Sequence, residues 1–191
     1  EIGLQGRDGQ GRHRWRVSVW ETRQDNEADV NLFGVFQSFK ATRRRGVDVE
    51  GDVLVGTATR LFANYSHVDA RIGNPVVAGA DRIPNVPEWI ASVGAASIVT
   101  AGSNRLDLSL TSSLVGPQSI TSDDALRTRV FNRTTARIAL TRPSWQGTSV
   151  FVNAVRYSRQ FDEYAGDFGG GLVAVAPVPR WRFAVGLQMP L

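Results

Sequence analysis

The sequence contains no cysteine and only two histidines, His13 and His67. Without cysteine, a disulfide framework and a cysteine-based metal site are excluded, and the chain is indifferent to the redox state of its compartment. Catalysis would need a nucleophile, a base and a group that orients the base, and no serine lies in a recognisable hydrolase motif. We therefore expect a protein that is not an enzyme and that holds no cofactor.

One pair of residues could suit a metal ion. His67 and Asp69 are two positions apart, so they would share one face of a strand. A lone strand that supplies two ligands is a weak metal signal. A solvated pair near the rim of the structure is the simpler interpretation, and we expect no metal site.

Long apolar runs are also missing. The most apolar segments, 89–100 and 169–179, are short and are broken by Gly, Ser or Pro, which excludes a transmembrane helix. A β-strand, however, crosses a membrane with about ten tilted residues and needs to be apolar on one face only. The first residues, 1–7, lack the features of a signal peptide and read as the middle of a strand, so we expect the chain to be cut from a longer one.

Lysine is nearly absent, because 21 of the 22 basic residues are arginine. The net charge is +4, but the arginines are spread along the chain and usually alternate with apolar neighbours. The one run is Arg43-Arg44-Arg45. Since nucleic-acid binding needs a clustered basic patch, we expect no nucleic-acid partner.

Apolar and polar residues alternate with a period of two along the chain, and the periodicity of an amphipathic helix is almost absent. In segment 14–19, Trp15, Val17 and Val19 share one face, and two arginines and a serine share the other. The same split recurs in segments 45–53, 106–111, 133–140 and 180–191. The chain is therefore predicted to be all-β.

Turn signals divide the chain into nine predicted strands: 1–7, 12–24, 36–53, 59–71, 88–99, 104–115, 128–141, 148–161 and 180–191. Short connections, at 8–11, 56–59, 101–104 and 143–147, alternate with long ones, at 25–34, 73–87, 116–126 and 162–179. Most strands reach membrane-spanning length, whereas strands of a soluble β-sandwich run to about five or six residues. Tight turns on one side and long loops on the other are typical of a bacterial outer-membrane barrel.

An odd number of strands is incompatible with a closed bacterial barrel, because these barrels have an even number and an open edge in lipid is unfavourable. We therefore expect strands to be missing on the N-terminal side. The first connection is short, so the first and the last strand should both run toward the periplasm. Segment 180–191 should be an edge strand with one side unpaired.

Four segments resemble the C-terminal half of TonB-dependent receptors: 44–51 (RRGVDVEG), 61–70 (LFANYSHVDA), 82–87 (RIPNVP) and 179–187 (PRWRFAVGL). The resemblance implies that residues 1–191 are the last nine strands of a barrel of about 22 strands, without its plug domain and N-terminal strands. It also implies an active transporter of a scarce nutrient in the bacterial outer membrane, most often a ferric siderophore or similar metal chelate.

The same resemblance implies the partners. They are TonB and its inner-membrane energising complex, reached through the missing N-terminal part, together with outer-membrane lipid, the outer-membrane assembly machinery and a small-molecule cargo. The family usually ends on an aromatic residue, whereas this chain ends on Leu191. The apolar residues that would keep the alternating assembly signal are Phe183, Leu187, Met189 and Leu191.

Candidate site residues follow from the faces of the strands. We expect an apolar convex face with Trp15, Val17, Val19, Leu106, Leu108 and Leu110, and a concave face with Asp48, Glu50, Asp52, Asp107 and Arg137. Arg45, Asp48, Glu50 and Asp52 are candidates for facing the lumen, where they could contact the plug or pair with neighbouring strands. Ligand candidates in the loops are Asp81, Arg82, Asp123, Asp124, Asp162, Glu163, Tyr164 and Asp167, and candidates for the lipid surface or its aromatic girdle are Trp15, Trp181 and Phe183.

Two alternatives remain open at this point. A non-transporting outer-membrane barrel, such as an adhesin or a structural protein, would show the same alternation. A soluble β-sandwich that binds carbohydrate would show two facing sheets about 10 Å apart instead of one.

Overall fold

Most strands of the protein are long, and most pair antiparallel with the strand that precedes or follows them in the sequence. The computed structural model describes residues 1–30, 36–75, 78–158, 164–167, 173–176 and 179–189. Within them, the strands are β1 (Ile2–Arg7), β2 (His13–Val30), β3 (Phe36–Val55), β4 (Thr59–Ile72), β5 (Trp89–Ala101), β6 (Asn104–Val115), β7 (Phe131–Thr141), β8 (Ser149–Tyr157), β9 (Tyr164–Asp167), β10 (Val173–Ala176) and β11 (Trp181–Gln188). A single 3-10 turn, Pro143–Trp145, is the only helical element in these residues.

Nine of the strands form one antiparallel sheet in the order β1-β2-β3-β4-β5-β6-β7-β8-β11. The predicted single sheet of nine strands is therefore confirmed. The alternative of a soluble sandwich is wrong, because the described residues contain no second large sheet but only the small hairpin β9–β10. The sheet is not closed, since β1 pairs only with β2 and β11 only with β8 in the part of the chain that is described.

Two long connections differ from the prediction. Segment 25–34 was expected to be a loop, but β2 continues to Val30 and pairs with β3 as far as Val30 and Phe36. Residues 25–27 are all polar, and Asn26 has a left-handed φ of 56°, so the sequence there resembles a turn. The expected loop 162–179 likewise contains the β9–β10 hairpin.

The four short connections lie together at one end of the sheet, called the turn end here, and the longer ones lie at the opposite outer end. Two of the tight turns depend on glycine. Gly56 and Gly102 have φ angles of 65° and 61°, a left-handed conformation in which a β-carbon is unfavourable. The turn chemistry therefore supports the predicted boundaries at this end.

The turn between β1 and β2 is fixed by a carboxylate. Asp8 accepts hydrogen bonds from the backbone N–H groups of His13, at 3.1 Å, and Arg12, at 2.6 Å. These bonds, that of His13 above all, favour the charged form and hold the pKa of Asp8 below its ordinary value.

We expect the variant Asp8→Ala to be less stable than the wild type at neutral pH. A lowered pKa in the folded state stabilises the protein above the unfolded-state pKa, and that contribution is lost as the pH falls through the folded-state value. The difference between the two proteins should therefore close in strong acid. Urea unfolding of protein refolded in detergent micelles, followed across this pH range, measures it. A difference that stays constant with pH would contradict the role of the charge.

Burial is confined to one side of the sheet. Every buried residue in the described strands lies on the face that carries Asp48: Ser18, Thr42, Ala70, Ile72, Ser92, Phe131, Ala139, Ser149 and Tyr157. Side chains crowd together on the inner side of a curved sheet, so we infer that this face is concave. The apolar clusters are small, one around Ala70, Ile72 and Ile83 and one around Phe131 and Tyr157.

Candidate functional site

The register divides the nine-stranded sheet into two chemically different faces. Residues that pair across strands share a face, and one such row contains Val17, Val49 and Tyr65. The adjacent row contains Arg16, Glu50 and Asn64 and points the other way. We call the two sides the apolar face and the polar face.

The predicted partition of the side chains is confirmed. The residues expected on the convex side, Trp15, Val17, Val19, Leu106, Leu108 and Leu110, all lie on the apolar face. The residues expected on the concave side, Asp48, Glu50, Asp52, Asp107 and Arg137, all lie on the polar face. Alternation along single strands therefore predicted the arrangement of the whole sheet.

The acidic residues of β3 take part in a hydrogen-bonded network on the polar face. Asp52 pairs with Arg14 at 2.8 Å and with Arg60 at 3.0 Å. Asp48 accepts a hydrogen bond of 2.5 Å from the hydroxyl of Ser66. These contacts match the simpler of the two interpretations, in which the row pairs with side chains of neighbouring strands.

Glu50 differs from its two acidic neighbours. In the part of the chain that the structure describes, its carboxylate forms no hydrogen bond or ion pair. It lines a depression of about 400 Å³, together with Arg16, Asp48, Asn64 and Ser66. An exposed acid in a polar depression can bind another group that approaches this face.

The structure corrects the grouping of Arg45 with the three acids. Arg45 pairs in register with Glu21 and Asp69 and lies on the apolar face, beyond Val47 toward the outer end. Its position is an odd number of residues from Asp48, and a shift by one residue moves a side chain to the opposite face. Its Nη2 lies 3.0 Å from Asp69.

The apolar face leaves large side chains in contact with solvent. Trp15 and Trp181 are each 50% exposed and Phe183 is 70% exposed, which is unusual for such residues. Trp181 and Phe183 also stack, with ring centroids 5.8 Å apart. A continuous apolar surface of this kind is unfavourable in water, and membrane lipid is one environment that would cover it.

Among the described residues, no helix is long and apolar enough to cross a membrane.

At the outer end, two connections pack on each other. Segment 73–88 bridges segment 116–130 through Pro87 and Gln118, and the backbone N–H of Asn85 donates to the carbonyl of Ser119 at 2.8 Å. Ile83 and Ile120 are buried in these segments. The described residues of the two loops therefore hold each other in place.

The ligand candidates in these loops are held by neighbours. Asp81 pairs with Arg71 at 2.6 Å and Arg82 with Asp69 at 3.3 Å. Asp124 pairs with Arg127 at 3.1 Å. The main role of these three side chains is therefore to stabilise the loops.

Asp123 has a similar local role. It accepts a hydrogen bond from the hydroxyl of Thr121 at 2.5 Å and another from the backbone N–H of Ala125 at 3.1 Å. The first of these bonds is the main reason why the pKa of Asp123 is lowered. The carboxylate therefore stays charged at neutral pH.

Other candidates lie at the margins of the described chain. Tyr164 and Asp167 are the first and last residues of β9, whereas Asp162, Glu163 and Leu191 fall outside the described residues. Phe183 and Leu187 share the apolar face of β11, and Met189, just beyond this strand, is 67% exposed.

The carboxylate of Asp69 is already occupied by arginines. It accepts from Arg45, Arg71 and Arg82 at 3.0, 2.9 and 3.3 Å. A carboxylate engaged in this way is poorly available to bind a metal ion together with the neighbouring His67. The described residues contain no group of three or more His, Cys, Asp or Glu side chains that could hold a metal ion.

An open sheet of long antiparallel strands, apolar on its exposed face and ionic on its crowded face, is the architecture of a segment of a transmembrane β-barrel. The family model described as TonB dependent receptor-like, beta-barrel matches residues 1–124. The chain therefore belongs to this family, which is a family of receptors and transporters and not of enzymes. Among curated proteins, no sequence matches the chain significantly.

A solved structure supports the same fold. The chain is similar to BauA, the ferric preacinetobactin receptor from Acinetobacter baumannii, with a TM-score of 0.61 and 19% sequence identity. The match covers 97% of this chain and 28% of the BauA chain. At this identity the likeness concerns the fold, and the chain spans less than a third of that receptor.

Proposed function

We propose that the chain is the C-terminal part of the barrel of a TonB-dependent active transporter in the bacterial outer membrane. The observation that carries the proposal is the division of one nine-stranded sheet into an exposed apolar face and a crowded polar face, in a chain of the TonB-dependent receptor family. The apolar face would contact lipid, with Trp15, Trp181 and Phe183 among its aromatic residues.

The further strands and the plug domain of the transporter would lie on the N-terminal side of residues 1–191. A sheet with two open edges in lipid leaves backbone groups without partners, and further strands would satisfy them. The plug domain and the segment that contacts TonB would precede those strands. Residues 1–191 would then form the wall of the transporter rather than its moving part.

The polar face would hold the plug. Glu50 supports this proposal, because its carboxylate lines a polar depression and has no hydrogen-bond or ion-pair partner among the described residues, whereas Asp48 and Asp52 have partners. Hydrogen bonds and ion pairs suit this contact, since they can break and form again when the plug moves.

The proposed cargo is a scarce nutrient, and a ferric siderophore or similar metal chelate is the favoured class. The support for this class is the similarity in fold to BauA, which is described as a ferric preacinetobactin receptor. Contacts with the cargo would come from the outer loops, which here form a packed pair of segments, 73–88 and 116–130.

Uptake of radiolabelled ferric siderophore tests the proposal. Cells that lack the gene for the complete receptor should take up the chelate only at background level, and a plasmid copy should restore uptake. Deletion of tonB should abolish the restored uptake, because transport takes its energy from the inner membrane. Uptake of the same chelate that persists without tonB would contradict active transport, and passive diffusion of small sugars through the protein would favour a porin instead.

A further inference from the structure

The last three strands of the nine-stranded sheet, β7, β8 and β11, contain arginine and no acidic residue. On the polar face, Arg133 pairs in register with Tyr157, and Arg182 pairs with Val155 in the next row. Arg180 directly precedes β11 and continues its register, since the backbone N–H of Tyr157 donates to the carbonyl oxygen of Arg180 at 2.9 Å. We call Arg133, Arg180 and Arg182 the arginine cluster.

The arginine cluster carries positive charge without nearby counter-charges. Among the described residues, none of its three arginines forms an ion pair, whereas the arginines at positions 14, 16 and 60 on the same face are each paired with an acid. All three residues of the cluster are exposed. Cations that lie close together on one surface attract anions to it. The cluster is therefore suited to bind an anion with more than one negative charge.

Two buried aromatic residues support the cluster. Phe131 and Tyr157 pack together in a small apolar group, and the guanidinium carbon of Arg182 lies 5.4 Å from the centroid of the Tyr157 ring. A guanidinium that stacks on an aromatic ring still presents its N–H groups at its edge. The packing of Tyr157 therefore helps to orient Arg182 without using its donors.

The cluster lies closer to the outer end of the sheet than the acids of β3. Arg133 is the third residue from the outer end of β7, whereas Glu50 is the sixth from the turn end of β3. Both belong to one row across the sheet, and the residues between them, Asn64, Ser92 and Ser113, are uncharged. A solute that arrives from the outer end would therefore meet the arginines before it meets Glu50.

We propose that the arginine cluster binds an anionic cargo, namely a ferric chelate with several negative charges on carboxylate or catecholate oxygens. Guanidinium groups bind such oxygens through paired, charge-assisted hydrogen bonds. Arg133 and Arg180 lie two strand spacings apart, which is about 10 Å, so both side chains can reach one bulky chelate. The position toward the outer end favours the cargo over the plug as the bound anion. The inference rests on the proposed function and adds to it the charge of the cargo and a binding site for it.

Binding of ferric chelates to the complete receptor, purified in a neutral detergent and followed by quenching of tryptophan fluorescence, tests the proposal. The panel consists of an anionic ferric triscatecholate, anionic ferric citrate, a neutral ferric trihydroxamate and a cationic one. We expect an anionic chelate to bind. The double variant R133Q/R182Q should bind it about tenfold more weakly than the wild type, since two charge-assisted contacts are lost. Added salt should weaken binding to the wild type more than binding to the variant.

The matched control R105Q/R156Q also removes two arginines. Arg105 lies near the turn end of the polar face and pairs with Asp107, and Arg156 lies on the apolar face opposite Trp181. This control should bind the anionic chelate as the wild type does. Binding is counted per folded protein, judged by the heat-modifiable band on gels. If R133Q/R182Q folds poorly, R180Q changes an exposed residue outside the strand and should still weaken binding several-fold.

Several results would overturn the proposal. They are binding of the neutral or cationic chelates alone, binding of no chelate in the panel, wild-type affinity in the folded cluster variants, and an equal loss of affinity in the control. If R133Q/R182Q binds the anionic chelate normally but its plug unfolds at a lower urea concentration, the arginines hold the plug and the proposal is wrong. TonB-dependent uptake of a neutral chelate would also overturn it, while leaving the proposed function standing.

Discussion

Replacement of Leu110 by arginine should destabilise the folded protein in detergent or lipid by about 2 to 4 kcal/mol, the cost of a guanidinium on the lipid face near the bilayer midplane. Leu110 lies in the middle of β6 on the apolar face and is 53% exposed. It pairs in register with Ala95 and Ala136, so no neighbouring acid in its row can neutralise the new charge. Urea unfolding, followed by the fluorescence of the five tryptophans, measures the change.

Two control variants separate the charge from other effects. Thr111→Arg puts the same charge on the next residue but on the polar face, beside Thr135 and Gly94, and should cost much less. Leu110→Met keeps an apolar side chain of similar volume and should be almost neutral. Equal destabilisation by the two arginine variants would show that the apolar face does not contact lipid.

The sequence was sufficient for the fold class because the decisive signal is local. A strand that is apolar on one side shows it in the alternation of single residues, and segment 14–19 is a clear case. Tight turns with glycine, such as those at Gly56 and Gly102, mark the strand ends equally well. Where several consecutive residues are polar, as in 25–27, the alternation disappears, and the continuation of β2 was missed there.

Contacts between strands could not be predicted in the same way. The arginines at positions 23, 43 and 71 are widely separated in sequence, and the register that places them in one row is set by the pairing of three strands. The charge pattern alone indicated dispersed arginines, and the structure collects these three in one row. The wrong grouping of Arg45 has a different origin, because Arg45 lies three residues from Asp48 in the same strand and counting along β3 already assigns the two side chains to opposite faces.

The second large effect is expected at Gly46 in β3. A β-carbon at this position would come within 2.7 Å of the indole ring of Trp20. It would lie still closer to the backbone carbonyl oxygen of His67 on the neighbouring strand. The ring covers the glycine, so the strand pair has no room for a side chain there.

We therefore expect Gly46→Ala to destabilise the folded protein by about 1 to 3 kcal/mol, the usual cost of overpacking a site that cannot expand. Gly51→Ala is the matched control in the same strand, because its β-carbon would meet only the carbonyl oxygen of Arg14, at 3.6 Å. This control should be neutral or slightly stabilising, since alanine reduces the freedom of the unfolded chain.

The double variant Gly46→Ala/Trp20→Leu then distinguishes the two obstacles. Removal of the indole relieves one clash and leaves the carbonyl oxygen of His67, so the new alanine should cost less in the Trp20→Leu background than in the wild type, without becoming neutral. Urea unfolding of the four proteins of this cycle gives the coupling energy between the two positions. A coupling energy of zero would show that Trp20 does not cover Gly46, and the packing of β2 on β3 at the outer end would have to be drawn differently.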